Sequence, residues 1–138
     1  MKVFLDASVL FSAARPGSLL AQFIDRLARH ASLCSNAYAL DEAQRNLERK
    51  EAACLPHLEK LRLNLVIVYG VAPLPRVSIR DKDRPILEAA VAARCSYLLT
   101  SDRRDFGPFF GQTIEGTKVV SPELMAEEIG LEPRKGQR

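Results

Sequence analysis

With 138 residues, 47% of them apolar and 27% charged, the sequence has the size and balance of one packed domain and excludes a disordered or fibrous chain. Its net charge of +3 permits contact with a polyanion without requiring it. Cys34, Cys54 and Cys95 are odd in number, far apart in sequence, form no C-x-x-C pair and have no zinc-like spacing to His30 or His57. They read as reduced core thiols, which argues against a disulfide framework or a zinc site and points to a cytoplasmic protein.

In chain order, Lys2 to Leu5 is a short apolar run that ends at Asp6 and reads as a strand. Asp6 and Arg15 interrupt the run before a signal-peptide core forms, and no later apolar run is long enough to span a membrane. A helix starting near Ser8 is broken by Pro16-Gly17. From Ser18, apolar residues at 19, 20, 23, 24 and 27 share one face, which predicts a helix to about Arg29. Ser32–Ser35 is a brief apolar piece, and Ser35 or Asn36 caps a helix carrying Leu40, Ala43 and Leu47. A further helix follows Pro56. Leu65–Tyr69 is β-branched enough for a strand, and Gly70 to Pro75 end it. Asp83-Arg84-Pro85 opens another helix, Tyr97–Thr100 is a buried strand, and Lys118–Val120 a last one. A final helix runs from Ser121-Pro122-Glu123 to Gly130, leaving a frayed basic tail over 131–138.

Strands alternating with helices predict a three-layer α/β/α domain over residues 1–130 with a mainly parallel central sheet. In such sheets ligands collect beyond the carboxyl ends of the strands, where Asp6 and Asp102 fall. Glu42, on the helix from Asn36, and Asp83, at the start of its helix, complete a set of four acids. A hard divalent cation takes oxygen ligands of this kind. Each acid also has a plainer explanation: Asp6 and Asp83 as helix caps, Glu42 as an exposed helix acid, Asp102 as a loop former. The mixed charges around them, Arg76, Arg80, Lys82 and Arg84 about Asp81 and Asp83, and Arg103 and Arg104 between Asp102 and Asp105, read first as solvated surface.

Taken together, four segments resemble the PIN-domain ribonucleases, including the VapC-type toxins of toxin–antitoxin pairs: Leu5-Asp6-Ala7-Ser8-Val9-Leu10, Glu42 followed by Leu47, Asp83 to Ala90, and Tyr97 to Phe106. Val119 to Leu124 is similar to the family's last strand and helix start. Asp41 beside Glu42, and Asp81 and Asp105 beside the third and fourth acids, leave alternatives for the ligand set.

The resemblance implies endonucleolytic cleavage of RNA with Mg²⁺ or Mn²⁺ held by Asp6, Glu42, Asp83 and Asp102, with Asp105 as a further candidate. Thr100 or Ser101 is expected to orient a water or a carboxylate, and Arg84, Arg103 and Arg104, with Arg80 and Lys82, to meet phosphates. It also implies a homodimer and a cognate antitoxin. A free-standing RNA-processing nuclease and a non-catalytic binding module on the same fold remain open. A haloacid-dehalogenase-like phosphatase needs a second Asp where Ser8 stands, and a receiver domain needs an acid adjoining Asp6.

Overall fold

β1 (Lys2–Leu5) lies inside a six-stranded sheet, with β2 (Ser32–Ser35) and β4 (Tyr97–Leu99) parallel to it on either side in the computed structural model. β3 (Val66–Ile67) extends the sheet beyond β2, and β6 (Thr117–Val120) extends it beyond β4, both parallel. β5 (Thr113–Ile114) closes the last edge antiparallel to β6. The structure describes residues 1–131; the basic tail expected over 131–138 lies outside them apart from Leu131. No helix among the described residues is long and apolar enough to cross a membrane.

Val3, Phe4 and Leu5 are all fully buried. Alternate residues of a strand point to opposite faces, so both faces of β1 are covered, as the three-layer arrangement requires. The covering helices are α1 (Ala7–Ala13), α2 (Leu19–Leu27), α3 (Ala37–Lys50), α4 (Leu55–Leu63), α5 (Arg84–Ala92) and α6 (Pro122–Ile129). Their starts follow the expected capping chemistry. Ser18 Oγ accepts from Ala21 N at 3.0 Å, Asn36 Oδ1 from Ala39 N at 2.9 Å and Ser121 Oγ from Leu124 N at 3.1 Å. Gly130, at φ 71°, ends α6 in the left-handed conformation that glycine adopts without steric cost.

Two strands depart from the expected elements, and one contact joins cysteines distant in sequence. β3 pairs over two residues rather than the five from Leu65 to Tyr69, because after Val68 N donates to Ser35 O the chain turns toward α5, where Ala72 N donates to Glu88 O at 3.0 Å. β5 is additional, joined to β6 through Glu115 (φ 47°) and Gly116 (φ 90°), a turn that suits the right-handed twist of a hairpin. Cys34 and Cys95 are brought together, with buried thiols 3.3 Å apart, although both cysteines are free.

The register of the parallel strands positions the site. Leu5 pairs with Leu99 and Leu99 with Val120, so the residues that follow β1 and β4 emerge side by side. Asp6 N donates to Leu99 O at 3.1 Å, and Thr100 N to Val120 O at 3.0 Å.

Candidate metal centre

Asp6 sits at the β1-to-α1 junction and uses its two carboxylate oxygens differently. Oδ1 accepts from Ala7 N at 2.7 Å, the capping bond the sequence allows, while Oδ2 accepts from Thr100 Oγ1 at 2.7 Å and Ser8 Oγ at 3.2 Å. Burial pushes its pKa above the usual carboxylate range; the bonds from Thr100, Ala7 and Ser8 pull it back, and the Glu42 charge raises it again. Thr100, fully buried at the end of β4, also accepts from Asp102 N at 3.0 Å. One hydroxyl thus links the first acid to the fourth.

Ser101 contributes its backbone, with Ser101 N donating to Ser8 Oγ at 3.0 Å. The side-chain contacts expected of Thr100 or Ser101 are made by Thr100 and by Ser8. Ser8 lies outside the expected set of site residues; its position two residues after Asp6, in the first turn of a helix, is the local signal for such a contact.

Three carboxylates form the tightest group: oxygens of Asp83, Asp102 and Asp105 all lie within 4.8 Å of one another. Asp105 is therefore drawn in from the margin of the expected set. The turn after β4 brings it close, since Asp105 N donates to Asp102 Oδ1 at 3.0 Å and Phe106, fully buried, anchors the next position. Lys82 Nζ at 3.0 Å and Arg80 at 3.1 Å hold Asp105 ionised, with its pKa lowered to about 2 chiefly by Lys82.

Asp83 has the opposite electrostatics. Its side chain makes no capping bond to α5, which removes the plain reading of it as a helix cap. The residue is 6% exposed and its Oδ2 is buried with no hydrogen-bond partner. Burial raises its pKa to about 6, Lys82 opposing and Asp105 and Asp102 adding to the rise. A buried carboxylate oxygen without a donor is costly unless a cation or proton meets it.

Glu42 and Asp41 separate cleanly. Asp41 is exposed and Glu42 half-buried, and the Glu42 charge acts on both Asp6 and Tyr38. Asp83 also acts on Tyr38, whose hydroxyl donates to the Lys82 carbonyl at 2.5 Å. Glu42 thus belongs electrostatically with Asp6, outside the tight group of three. Asp81 is exposed and makes no ion pair among the described residues.

Of the basic residues, Arg84 is turned into the fold. Its guanidinium donates to Leu74 O and Val77 O, each at 2.8 Å, and pairs with Glu88 at 3.5 Å, while Glu88 also accepts from Leu74 N. The proline-rich segment before α5 folds back over Arg84, the residue expected to meet phosphate, and takes these donors. Arg103 and Arg104 remain exposed beside Asp102; among the described residues Arg103 pairs only with Glu123, at 4.0 Å. The all-oxygen donor set, the crowded negative charge and the unpartnered Asp83 Oδ2 fit a hard divalent cation.

Comparison with known proteins agrees with this architecture. The family model described as PIN domain matches residues 2–104. Among solved structures, PAE2754 from Pyrobaculum aerophilum superposes with a TM-score of 0.65 at 20% identity, over 96% of this chain and 100% of its own. A chain in the structure of VapBC2 from Rickettsia felis bound to a DNA fragment from their promoter gives a TM-score of 0.63 at 17% identity, over 88% and 98%. These likenesses show the fold. No curated protein matches the chain. With three-quarters of its length covered by one family model, the chain belongs to the PIN-domain family.

Proposed function

We propose that this protein is a Mg²⁺- or Mn²⁺-dependent endoribonuclease, acting as the toxin of a toxin–antitoxin pair. The observation that carries the metal-dependent reading is Asp83 Oδ2, buried without a donor among carboxylates that converge beyond the sheet's carboxyl ends. When bound, the ion supplies activation of water and neutralisation of charge at the scissile phosphate. Asp83, Asp102 and Asp105 hold it in this reading, with Asp6 and Glu42 completing the acidic wall. Thr100 and Ser8 fix the Asp6 carboxylate, which keeps one oxygen on the helix cap and the other on their two hydroxyls.

Arg103 and Arg104 flank Asp102 on the exposed side and carry the phosphate contacts. RNA is the substrate implied by the family resemblance, and the likeness in fold to a chain of the VapBC2 structure supports an antitoxin partner. A homodimer is the expected assembly.

The test is cleavage of a mixed RNA pool by the purified chain with MgCl₂, MnCl₂ or EDTA, beside Asp102→Asn. Cleavage that needs the metal and Asp102 is expected. Cleavage that persists in EDTA would sink the metal-dependent reading. Growth arrest on expression, relieved by the product of a small neighbouring reading frame, separates a toxin from a free-standing processing nuclease.

A further inference from the structure

Lys82 precedes Asp83 directly, and its ammonium lies 3.0 Å from Asp105 Oδ2 and 3.6 Å from Asp83 Oδ1. The Asp102 charge acts on it as well. One cation therefore bridges two carboxylates of the tight group and feels the charge of the third, whereas Arg80 pairs only with Asp105 among the described residues. Neutralisation is incomplete, because the buried Asp83 Oδ2 still lacks a partner.

Two features make this ammonium displaceable. The Lys82 side chain is 48% exposed, and its backbone carbonyl is held by Tyr38 at 2.5 Å. The main chain is pinned while the flexible four-carbon stem can swing outward. A divalent ion sharing oxygens with Asp83 and Asp105 would meet a like charge a few ångströms away, which opposes its binding until the ammonium withdraws.

From this geometry we infer that Lys82 is an exchangeable internal counter-ion of the carboxylate cluster, standing in for part of a divalent ion's charge and leaving Asp105 when the ion enters. The inference rests on the metal-dependent reading above. It gives Lys82 two effects of opposite sign: it stabilises the metal-free fold and weakens metal affinity. A lysine that merely braced the loop would support both.

The experiment is calorimetric titration of the full chain with MnCl₂ alone, with thermal unfolding in EDTA and at saturating Mn²⁺, for the wild type, Lys82→Met and Lys82→Arg. Lys82→Met should bind Mn²⁺ roughly tenfold tighter, melt lower than the wild type in EDTA, and recover that deficit when saturated. Lys82→Arg, which keeps the charge, should follow the wild type. Should Lys82→Met fail to fold, Lys82→Gln carries the same expectations. Equal or weaker Mn²⁺ binding by the neutral variant overturns the inference while leaving the metal reading intact. Binding by the neutral variant alone supports it. No binding by either overturns the metal reading and the inference together.

Discussion

Thr100 Oγ1 donates to Asp6 Oδ2 at 2.7 Å across the β1–β4 seam and accepts from Asp102 N at 3.0 Å. Replacing it with valine keeps the shape and removes both bonds, leaving a buried carboxylate and a backbone N–H short of partners. Thr100→Val should cost about 1–3 kcal/mol in urea unfolding and reduce RNA cleavage, while Thr100→Ser should retain most of both. Full activity in the valine variant would show that Asp6 needs no help from this hydroxyl.

Asp6→Asn and Asp102→Asn should each lower RNA cleavage by more than about 100-fold, beyond the usual effect of a group acting behind a ligand, with circular dichroism unchanged. Glu42→Gln should lose activity and Asp41→Asn keep it, because only Glu42 is half-buried and acts on Asp6. The reverse result for this neighbouring pair would place the other face of α3 at the site.

Stability without metal should depend on pH through Asp83. Its pKa is raised from 3.8 to about 6, so its contribution to folding is fully present below 3.8 and is lost as pH rises through about 6. Asp105, lowered to about 2, contributes above its unfolded value and loses that contribution as pH falls through about 2. With EDTA present, Tm should therefore fall between pH 4 and pH 7. The Asp83 shift corresponds to at most about 3 kcal/mol, cut by solvent screening to about 1 kcal/mol. Asp83→Asn should accordingly melt roughly 2–6 °C above the wild type at pH 7 and show a flatter pH profile. An equal fall in both proteins would assign the effect to another group.

For substrate binding, Arg103→Ala with Arg104→Ala should weaken affinity for single-stranded RNA. The log–log salt slope should become shallower by roughly 0.7 per lost contact. Mn²⁺ affinity should barely change. Arg84→Ala should act through stability, since its donors hold the Leu74 and Val77 carbonyls. An unaltered salt slope in the Arg103/Arg104 variant would leave those residues as surface charge.

What could be read from sequence was local. Asp6 is legible because four residues of strand precede it, Asn36 because it caps a periodic helix, and Glu42 because, on that helix and followed by Leu47, it fits the family resemblance. The hidden features depend on pairings between distant segments. The contact between Cys34 and Cys95 spans 61 residues and arises only once the sheet is assembled. Arg84 loses its donors to a loop whose path no periodicity encodes. Asp105 is visible as an extra acid, but its place in the tight group, which Glu42 lacks, is set by the turn anchored at Phe106. β5 is not legible in the sequence because its hairpin turns at Glu115-Gly116 rather than at one of the stronger turn pairs, and because two residues are too few to alternate.

The central seam of the sheet joins a strand that starts at the second residue to one that starts at the ninety-seventh, and this bears on how the protein is made. A ribosome adds roughly 5–20 residues per second, so on the order of five to twenty seconds separate the emergence of Asp6 from that of Thr100. Through that interval β2 is the only parallel neighbour β1 can recruit, and the carboxylates have nothing to converge upon. Any nuclease activity is thus silent in the nascent chain until β4 has emerged, and fragments ending before β4 should be inert however well their helices form.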